Sequence, residues 1–440
     1  MSGNMLIGII GCLLALLCVF TRVWVGPSMM IISVIGIALM RDWDYAMNAL
    51  SSITYSETTT YTWACMPLFI LMGSALSLTG IGSDLYNFAR NILGRVRGGL
   101  AMATICACAF FAAICGDSVA TAVTMGKVSL PEMKRNKYND GFAASAVVSG
   151  GTIGIMIPPS TAFILYAMMT EQSVGKLFAA GMLPGITQAI FYIITIFIVC
   201  KIRPNHSGSE AVRVSREEKL KSLLPVWPVI LLFVLMMGGL YGGFFTPVEA
   251  GAFGALTTLV LACLMRRLSK NDFNHILSDT MQSAGMVFFL MLGAFFLTRF
   301  ITLSGVTTAL TRTLLEWHAV NNIPRIVIIA IIMLFYLITG CFMSALACIL
   351  LTLGIVFPIV TGLGYNPIWW GVIMVRLLET SMITPPFGLN LFSVSRTCNV
   401  PIGKMYKSIW PFVISDILHI TLLVAIPEIS LFLPRIMGLA

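Results

Sequence analysis

Residues 155–166, IMIPPSTAFILY, and residues 382–392, MITPPFGLNLF, each set a proline pair inside an apolar run. Pro158 and Pro385 stand 227 residues apart in a chain of 440, so the same helix-breaking device occurs once in each half. A proline in a helix interior removes one N–H and crowds the carbonyl a turn earlier, at a cost of roughly 3 kcal/mol. In lipid that damage is tolerated only where the freed carbonyls face protein, water or an ion. Two matched breaks therefore predict two interrupted helices turned toward the interior of a membrane bundle.

Composition agrees. Hydrophobic residues make up 58% of the chain and charged residues 10%, with a mean hydropathy of +0.94; soluble domains carry roughly 25% charged residues. The expected class is an all-α polytopic membrane protein, which excludes an ordinary soluble enzyme. The eleven cysteines, Cys12, Cys106, Cys108, Cys263 and Cys348 among them, lie mostly in apolar runs, where they act as small hydrophobes, and no disulfide framework is expected. The net charge of +9 reads as lysine and arginine retained on the cytoplasmic side, and no nucleic-acid partner is expected. The first apolar run, 5–20, has no basic flank before it and no A-x-A site after it, and reads as a spanning helix.

The basic clusters set a topology. They fall at Arg95 and Arg97, at Lys134, Arg135 and Lys137, across 201–224, at Arg266, Arg267 and Lys270, and at Arg396, Lys404 and Lys407. Two of them bracket an apolar stretch broken at Cys115, Gly116 and Asp117, which predicts a re-entrant hairpin over about 98–131. A broken helix follows over about 141–170, then a span near 186–200 and a charged loop over 201–224 between the halves. Spans near 226–244, 247–265 and 283–303 lead to a second hairpin over about 325–357, interrupted at 340–344, and a second broken helix over about 366–396. The second hairpin enters from the opposite side, as two inverted-topology repeats require. Landmarks recur: Leu78, Thr79, Gly80 and Ile81 against Leu303, Ser304, Gly305 and Val306, and Val174, Gly175, Lys176 and Leu177 against Ile402, Gly403, Lys404 and Met405. Amphipathic connectors are expected at 41–63 and 270–282. The units so drawn are 1–63 (scaffold helices and first connector), 64–170 (first mobile repeat), 171–282 (scaffold, central loop and second connector), 283–396 (second mobile repeat) and 397–440 (C-terminal scaffold region).

Chemistry concentrates at the breaks. The first hairpin tip offers Ser118 and Thr121, and the first broken helix Gly151, Thr152, Pro158 and Ser160. The second half offers Ser344 at its tip and Thr380, Thr384, Gly388 and Asn390 around its proline pair. Hydroxyls and freed carbonyls are hard oxygen ligands suited to sodium, and one sodium site is expected at each break. Small residues also permit close helix packing, the alternative use of the same positions. Asp117, Arg299, Arg376, Glu379, Asp416 and His419 are ionisable at or near membrane depth, which makes them functional candidates. Arg376 and Glu379, three residues apart on one helical face, are expected either to pair with each other or to meet substrate. Asp416 and His419 are expected in a structural or subunit-facing role. Glu249, behind Pro247, is expected to complement a helix N-terminus.

The segments GDSVATAVTMGKVSLPEM (116–133), GFAASAVVSGGTIGIMIPPS (141–160), FFTPVEAGAFGAL (244–256) and ETSMITPPFGLNLFSVS (379–395) together resemble the large membrane subunit of tripartite ATP-independent periplasmic (TRAP) transporters over nearly the whole chain. That resemblance implies a sodium-driven secondary transporter of the bacterial inner membrane, with an elevator-type unit moving against a scaffold. Its implied partners are a small four-helix membrane subunit and a soluble periplasmic protein that delivers an organic acid such as a C4-dicarboxylate, keto acid or sialic acid. It also implies sodium and substrate contacts at Ser118, Gly151, Thr152, Pro158, Ser344, Thr384, Gly388 and Asn390. The family's first hairpin motif more often has serine where this chain has Asp117. No catalytic residue and no cofactor is expected, and sodium is the only metal. The chain has no G-x-x-x-x-G-K-[ST] phosphate loop, so a gradient must supply the energy. One sodium supplies roughly 3.7 kcal/mol at a tenfold gradient and 100 mV. Two alternatives stand: a single-component sodium–dicarboxylate or citrate symporter, and an intramembrane protease built on Asp117 and Asp416, which would need the two carboxylates in one site.

Overall fold

The computed structural model describes residues 3–20, 23–208 and 215–438. Part of the central loop, 209–214, lies outside them. Every regular element among the described residues is a helix. The first half runs through α1 (Gly3–Phe20), α2 (Val25–Met40), α3 (Trp43–Thr59), α4 (Cys65–Leu78) and α5 (Ile81–Leu93) into the pair α6 (Gly99–Cys115) and α7 (Ser118–Arg135). Next come α8 (Asp140–Met156), α9 (Thr161–Thr170), the long α10 (Val174–Ile202) and the short α11 (Arg216–Leu223). The second half runs through α12 (Trp227–Tyr241), α13 (Pro247–Leu264), α14 (Lys270–Ser304) and α15 (Val306–Asn321) into the pair α16 (Arg325–Gly340) and α17 (Ala345–Gly362). It ends with α18 (Pro367–Ile383), α19 (Leu389–Cys398), α20 (Ile402–Ser408), α21 (Trp410–Ala425) and α22 (Glu428–Ile436). Six helical segments are long and apolar enough to cross a membrane, and two bent helix pairs raise the number to eight.

Local chemistry sets the ends. Asn139 caps α8, Ser173 caps α10, and Asn366 caps α18 with Pro367 at its first turn. Thr246 and Glu249 form a reciprocal capping box on α13, the role expected of Glu249. Gly80 and Gly305, the matched landmarks, hold left-handed backbone at φ +72° and +76° ahead of α5 and α15. Both proline pairs are joined by cis peptide bonds. One element differs from expectation. The connector over 270–282 and the span after it form a single 35-residue helix, α14, because no proline interrupts them. In the first half a short 3-10 turn, Tyr61–Ala64, separates α3 from α4.

Packing sorts the helices into two groups. A peripheral group exchanges partners across the halves: α14 lies along α2 and α4, and α13 along α4 and α12. The α2–α14 crossing is backbone on backbone, since a Cβ added at Gly293 would sit 2.4 Å from the Gly26 carbonyl oxygen. A central group contains both hairpins and both broken helices, with α10 and α21 packed directly on α8 and α18. Here too the halves interlock. The half-helix α9 packs on α17 of the second hairpin, and α19 packs on α7 of the first.

Candidate ion and substrate site

Each hairpin turns at a capped tip beside a proline break. Asp117 caps α7 by accepting from the Ala120 N–H at 2.7 Å, and Ser344 caps α17 by accepting from the Ala347 N–H at 3.3 Å. The first tip docks on its own break, where the Thr161 hydroxyl donates to the Gly116 carbonyl at 3.1 Å. A Cβ at Gly154 would lie 2.8 Å from the Asp117 carbonyl oxygen, and one at Gly151 2.5 Å from the Ala122 Cβ. The second tip docks likewise: a Cβ at Gly340 would lie 2.0 Å from Ser381 Oγ. Gly388, at φ +49°, folds back toward the Thr384 and Met382 carbonyl oxygens. Pro158 and Ser160 are buried, whereas Pro386 and Phe387 are exposed, so the second break is the one open to the surface.

The hydroxyls keep lone pairs available. Thr121 donates to the Asp117 carbonyl at 2.6 Å, Thr384 to the Thr380 carbonyl at 2.6 Å, and Ser118 to the Met382 thioether at 3.7 Å. A hydroxyl that spends its proton this way still has oxygen lone pairs for a cation. Ser160 is used differently, as the cap of α9, accepting from the Phe163 N–H at 3.3 Å. Asn390 and Glu379 are both fully buried, and neither amide atom of Asn390 nor either carboxyl oxygen of Glu379 has a hydrogen-bond partner among the described residues. Glu379 lies beside the Ser118 hydroxyl, within electrostatic reach of Asp117, Arg376 and Asp416.

Arg376 does not pair with Glu379, contrary to one sequence expectation. Its guanidinium donates to Asp416 at 2.5 Å, to His419 Nδ1 at 3.1 Å and to the Thr380 hydroxyl at 3.2 Å. The helical spacing that put Arg376 and Glu379 on one face is outweighed by a carboxylate on the neighbouring α21. Asp416 and His419, both fully buried, are therefore interior partners and do not face another subunit. Asp117 and Asp416 do not form the shared pair that aspartyl chemistry needs, one being a helix cap and the other the partner of Arg376. Arg299 stays at the surface and donates to the Tyr45 hydroxyl at 3.2 Å.

A family model described as "Tripartite ATP-independent periplasmic transporter, DctM component" matches residues 10–429. The chain belongs to this family. It is 33% identical over 396 residues to the C4-dicarboxylate TRAP transporter large permease protein DctM of Pseudomonas aeruginosa, covering 90% of this chain and 91% of that one. It is 28% identical to the sialic acid TRAP transporter large permease protein SiaM of Vibrio cholerae, with 86% and 87% covered. It is 32% identical to the isethionate TRAP transporter permease protein DctMQ of Oleidesulfovibrio alaskensis, with 88% and 60% covered. The solved structure of the Alcanivorax borkumensis YdaH transporter has the same fold, with a TM-score of 0.56 at 14% identity over 97% of this chain and 98% of that one. The protein is thus a TRAP large permease, a multi-pass inner-membrane transporter subunit and not an enzyme.

The permease also uses interior residues that sequence reading passed over. On α10, Gln188 donates to the Thr152 hydroxyl at 3.0 Å, and Thr152 and Tyr192 share a hydrogen bond of 2.9 Å. Thr187 meets His419 Nε2 at 2.8 Å. Thr152 and Thr380, expected as ion ligands, are thereby occupied in a network joining α8, α10, α18 and α21. The signal was present: Thr187, Gln188, Tyr192 and Thr195 repeat at helical spacing in an otherwise apolar run.

Proposed function

We propose that this permease is the membrane subunit of a sodium-coupled importer of an organic acid anion, working with a small four-helix subunit and a periplasmic binding protein that delivers the acid. The observation that carries the reading is the pair of proline breaks, each docked under its own hairpin tip and each flanked by hydroxyls with free lone pairs. Interrupted backbone at membrane depth serves ions and substrates because its freed dipoles replace hydration. Sodium fits the donors: Ser118, Thr121 and the carbonyls near Gly151 at one break, and Ser344, Thr384 and the carbonyls near Gly388 at the other. Glu379 and Asn390 add buried oxygens that accept no hydrogen bond among the described residues, which suits them to hold a cation or a polar substrate group.

The relatives' names, a C4-dicarboxylate, an isethionate and a sialic acid transporter, share only the acidic character of the cargo. An acid of the C4-dicarboxylate, keto acid or sialic acid type is the proposed substrate class. A divalent anion forfeits the electrical contribution of a single sodium, so at least two ions are needed for accumulation. Two breaks provide two sites. Alternating access would follow from an elevator-like slide of the central helices, read as inverted repeats, past the peripheral ones; α10 and α21, drawn with the scaffold from sequence, are here assigned to the mobile unit because they pack on both broken helices. In proteoliposomes with the partner proteins, uptake of a supplied organic acid is expected only with an inward sodium gradient. Equal uptake in potassium alone would overturn the coupling, and equal uptake without the binding protein would favour a single-component symporter.

A further inference from the structure

Between α10 and α21 runs a groove of about 710 Å³. From Phe191 to Arg203, α10 rises about 18 Å at roughly 1.5 Å per residue. That matches the hydrocarbon depth of one leaflet, half of about 30 Å. The walls are apolar over most of this length, with Ile198 48%, Ile414 55% and Leu418 58% exposed. Polarity is concentrated at one end, where Arg203 and Lys407 line the mouth and neither forms an ion pair among the described residues. His206 lines the groove with its ring 5.5 Å from that of Phe142, and burial, helped by Arg203, holds its imidazole below the usual range.

Three hydroxyls also line the groove, Thr195, Ser408 and Ser415, and Thr195 returns its proton to the Phe191 carbonyl at 2.8 Å. Ser415 is 4% exposed, and its hydroxyl has no hydrogen-bond partner among the described residues. A helical serine or threonine commonly returns its proton to the carbonyl four residues back, as Thr421 does to Ile417 at 2.8 Å. Ser415 lies about 7.5 Å deeper than Trp410 by helix rise. Two other grooves, of about 360 and 320 Å³, are lined by no charged residue, as expected of plain lipid-facing surface.

We propose that the α10–α21 groove is a binding site for one anionic phospholipid. Its phosphate sits between Arg203 and Lys407, an ester carbonyl accepts from the Ser415 hydroxyl, and an acyl chain lies along Ile198, Ile414 and Leu418. Cationic mouths between transmembrane helices capture anionic headgroups in this way, each basic side chain adding attraction. The site does not depend on sodium coupling or on the transported acid, and its test reads neither.

Full-length permease in neutral detergent, titrated with dioleoylphosphatidylglycerol and followed by native mass spectrometry and thermal unfolding, should retain one lipid and unfold at a higher temperature as lipid is added. The double variant Arg203→Gln/Lys407→Gln should lose about 30-fold in lipid affinity, the equivalent of about 2 kcal/mol for two basic side chains. Ser415→Ala should lose less, and Lys407→Arg should bind as the wild type does. Both polar residues of the double variant's mouth are exposed, and its unfolding temperature without lipid reports whether it is folded. The wild-type comparison needs no variant at all: dioleoylphosphatidylcholine should bind more weakly than phosphatidylglycerol. Equal binding of the two lipids, an equal temperature shift from inorganic phosphate alone, or unchanged affinity in a folded double variant would each overturn the proposal.

Discussion

Arg376 and Asp416 meet at 2.5 Å with both side chains at 0% exposure, so neither can fall back on water if the other is lost. Such a pair contributes little net stability over an apolar equivalent, because desolvation offsets most of the Coulomb attraction, yet removing one partner strands the other. Arg376→Met should therefore destabilise the permease by about 3–5 kcal/mol, while Arg376→Met/Asp416→Leu should recover a large part of that loss. Unfolding in detergent micelles, run as a double-mutant cycle, measures the coupling; simple additivity of the two single losses would show that the pair is not a unit. His419 and Thr380 stay bonded to other groups in the double variant, through Thr187 and the Arg376 backbone carbonyl, which limits collateral damage. The residue types of this cluster were legible in the sequence as ionisable groups in apolar runs. Their pairing was not, because the partner of Arg376 lies 40 residues away on another helix and only tertiary packing selects it over Glu379.

At the scale of the elements, glycines and prolines carried the readable information. The break at Gly116 and Asp117, the break before Ser344 and both proline pairs stand where sequence placed them, since each depends on backbone chemistry that a neighbouring helix cannot override. The continuity of α14 was not readable, because a connector and a span without a proline between them look alike whether bent or straight. Two left-handed glycines separate backbone preference from packing. Gly305 at φ +76° has open space where a Cβ would be, whereas a Cβ at Gly116, φ +65°, would lie 2.6 Å from the Pro159 carbonyl oxygen. Gly305→Ala should cost about 1 kcal/mol, the ordinary penalty of a left-handed alanine, and leave transport nearly intact. Gly116→Ala bears the same penalty and must also push the hairpin tip off the break. Uptake by the reconstituted three-part system should fall at least about tenfold, the scale at which misplacing a site's supporting shell is felt. Equal effects of the two substitutions would mean that tip and break need not touch.

At the scale of the molecule, each half completes the other: α2 needs α14, α4 needs α13, α9 needs α17 and α19 needs α7. Buried residues of both halves form one continuous core, so the chain should unfold as one unit even though its sequence reads as two similar parts. The contact between the peripheral and central groups is thinner, and it includes the place where α4 passes the first hairpin tip. There a Cβ on Gly73 would lie 2.9 Å from the Cys115 carbonyl oxygen, and Ser77 is within hydrogen-bonding reach of the Cys115 thiol. A cysteine at position 77 would stand beside this natural thiol, and a disulfide between the two would tether the tip to α4. If the central helices slide as a body, oxidised Ser77→Cys should pin the tip to α4 and cut uptake to below about a tenth of the reduced protein's rate, since a blocked conformational step limits turnover whatever the site's affinity. Reduction should restore the rate, and Ser77→Cys/Cys115→Ala should be insensitive to oxidant. Full uptake by a sample whose cross-link is established by mass spectrometry would sink the sliding mechanism, because the tip would then complete the cycle without leaving α4.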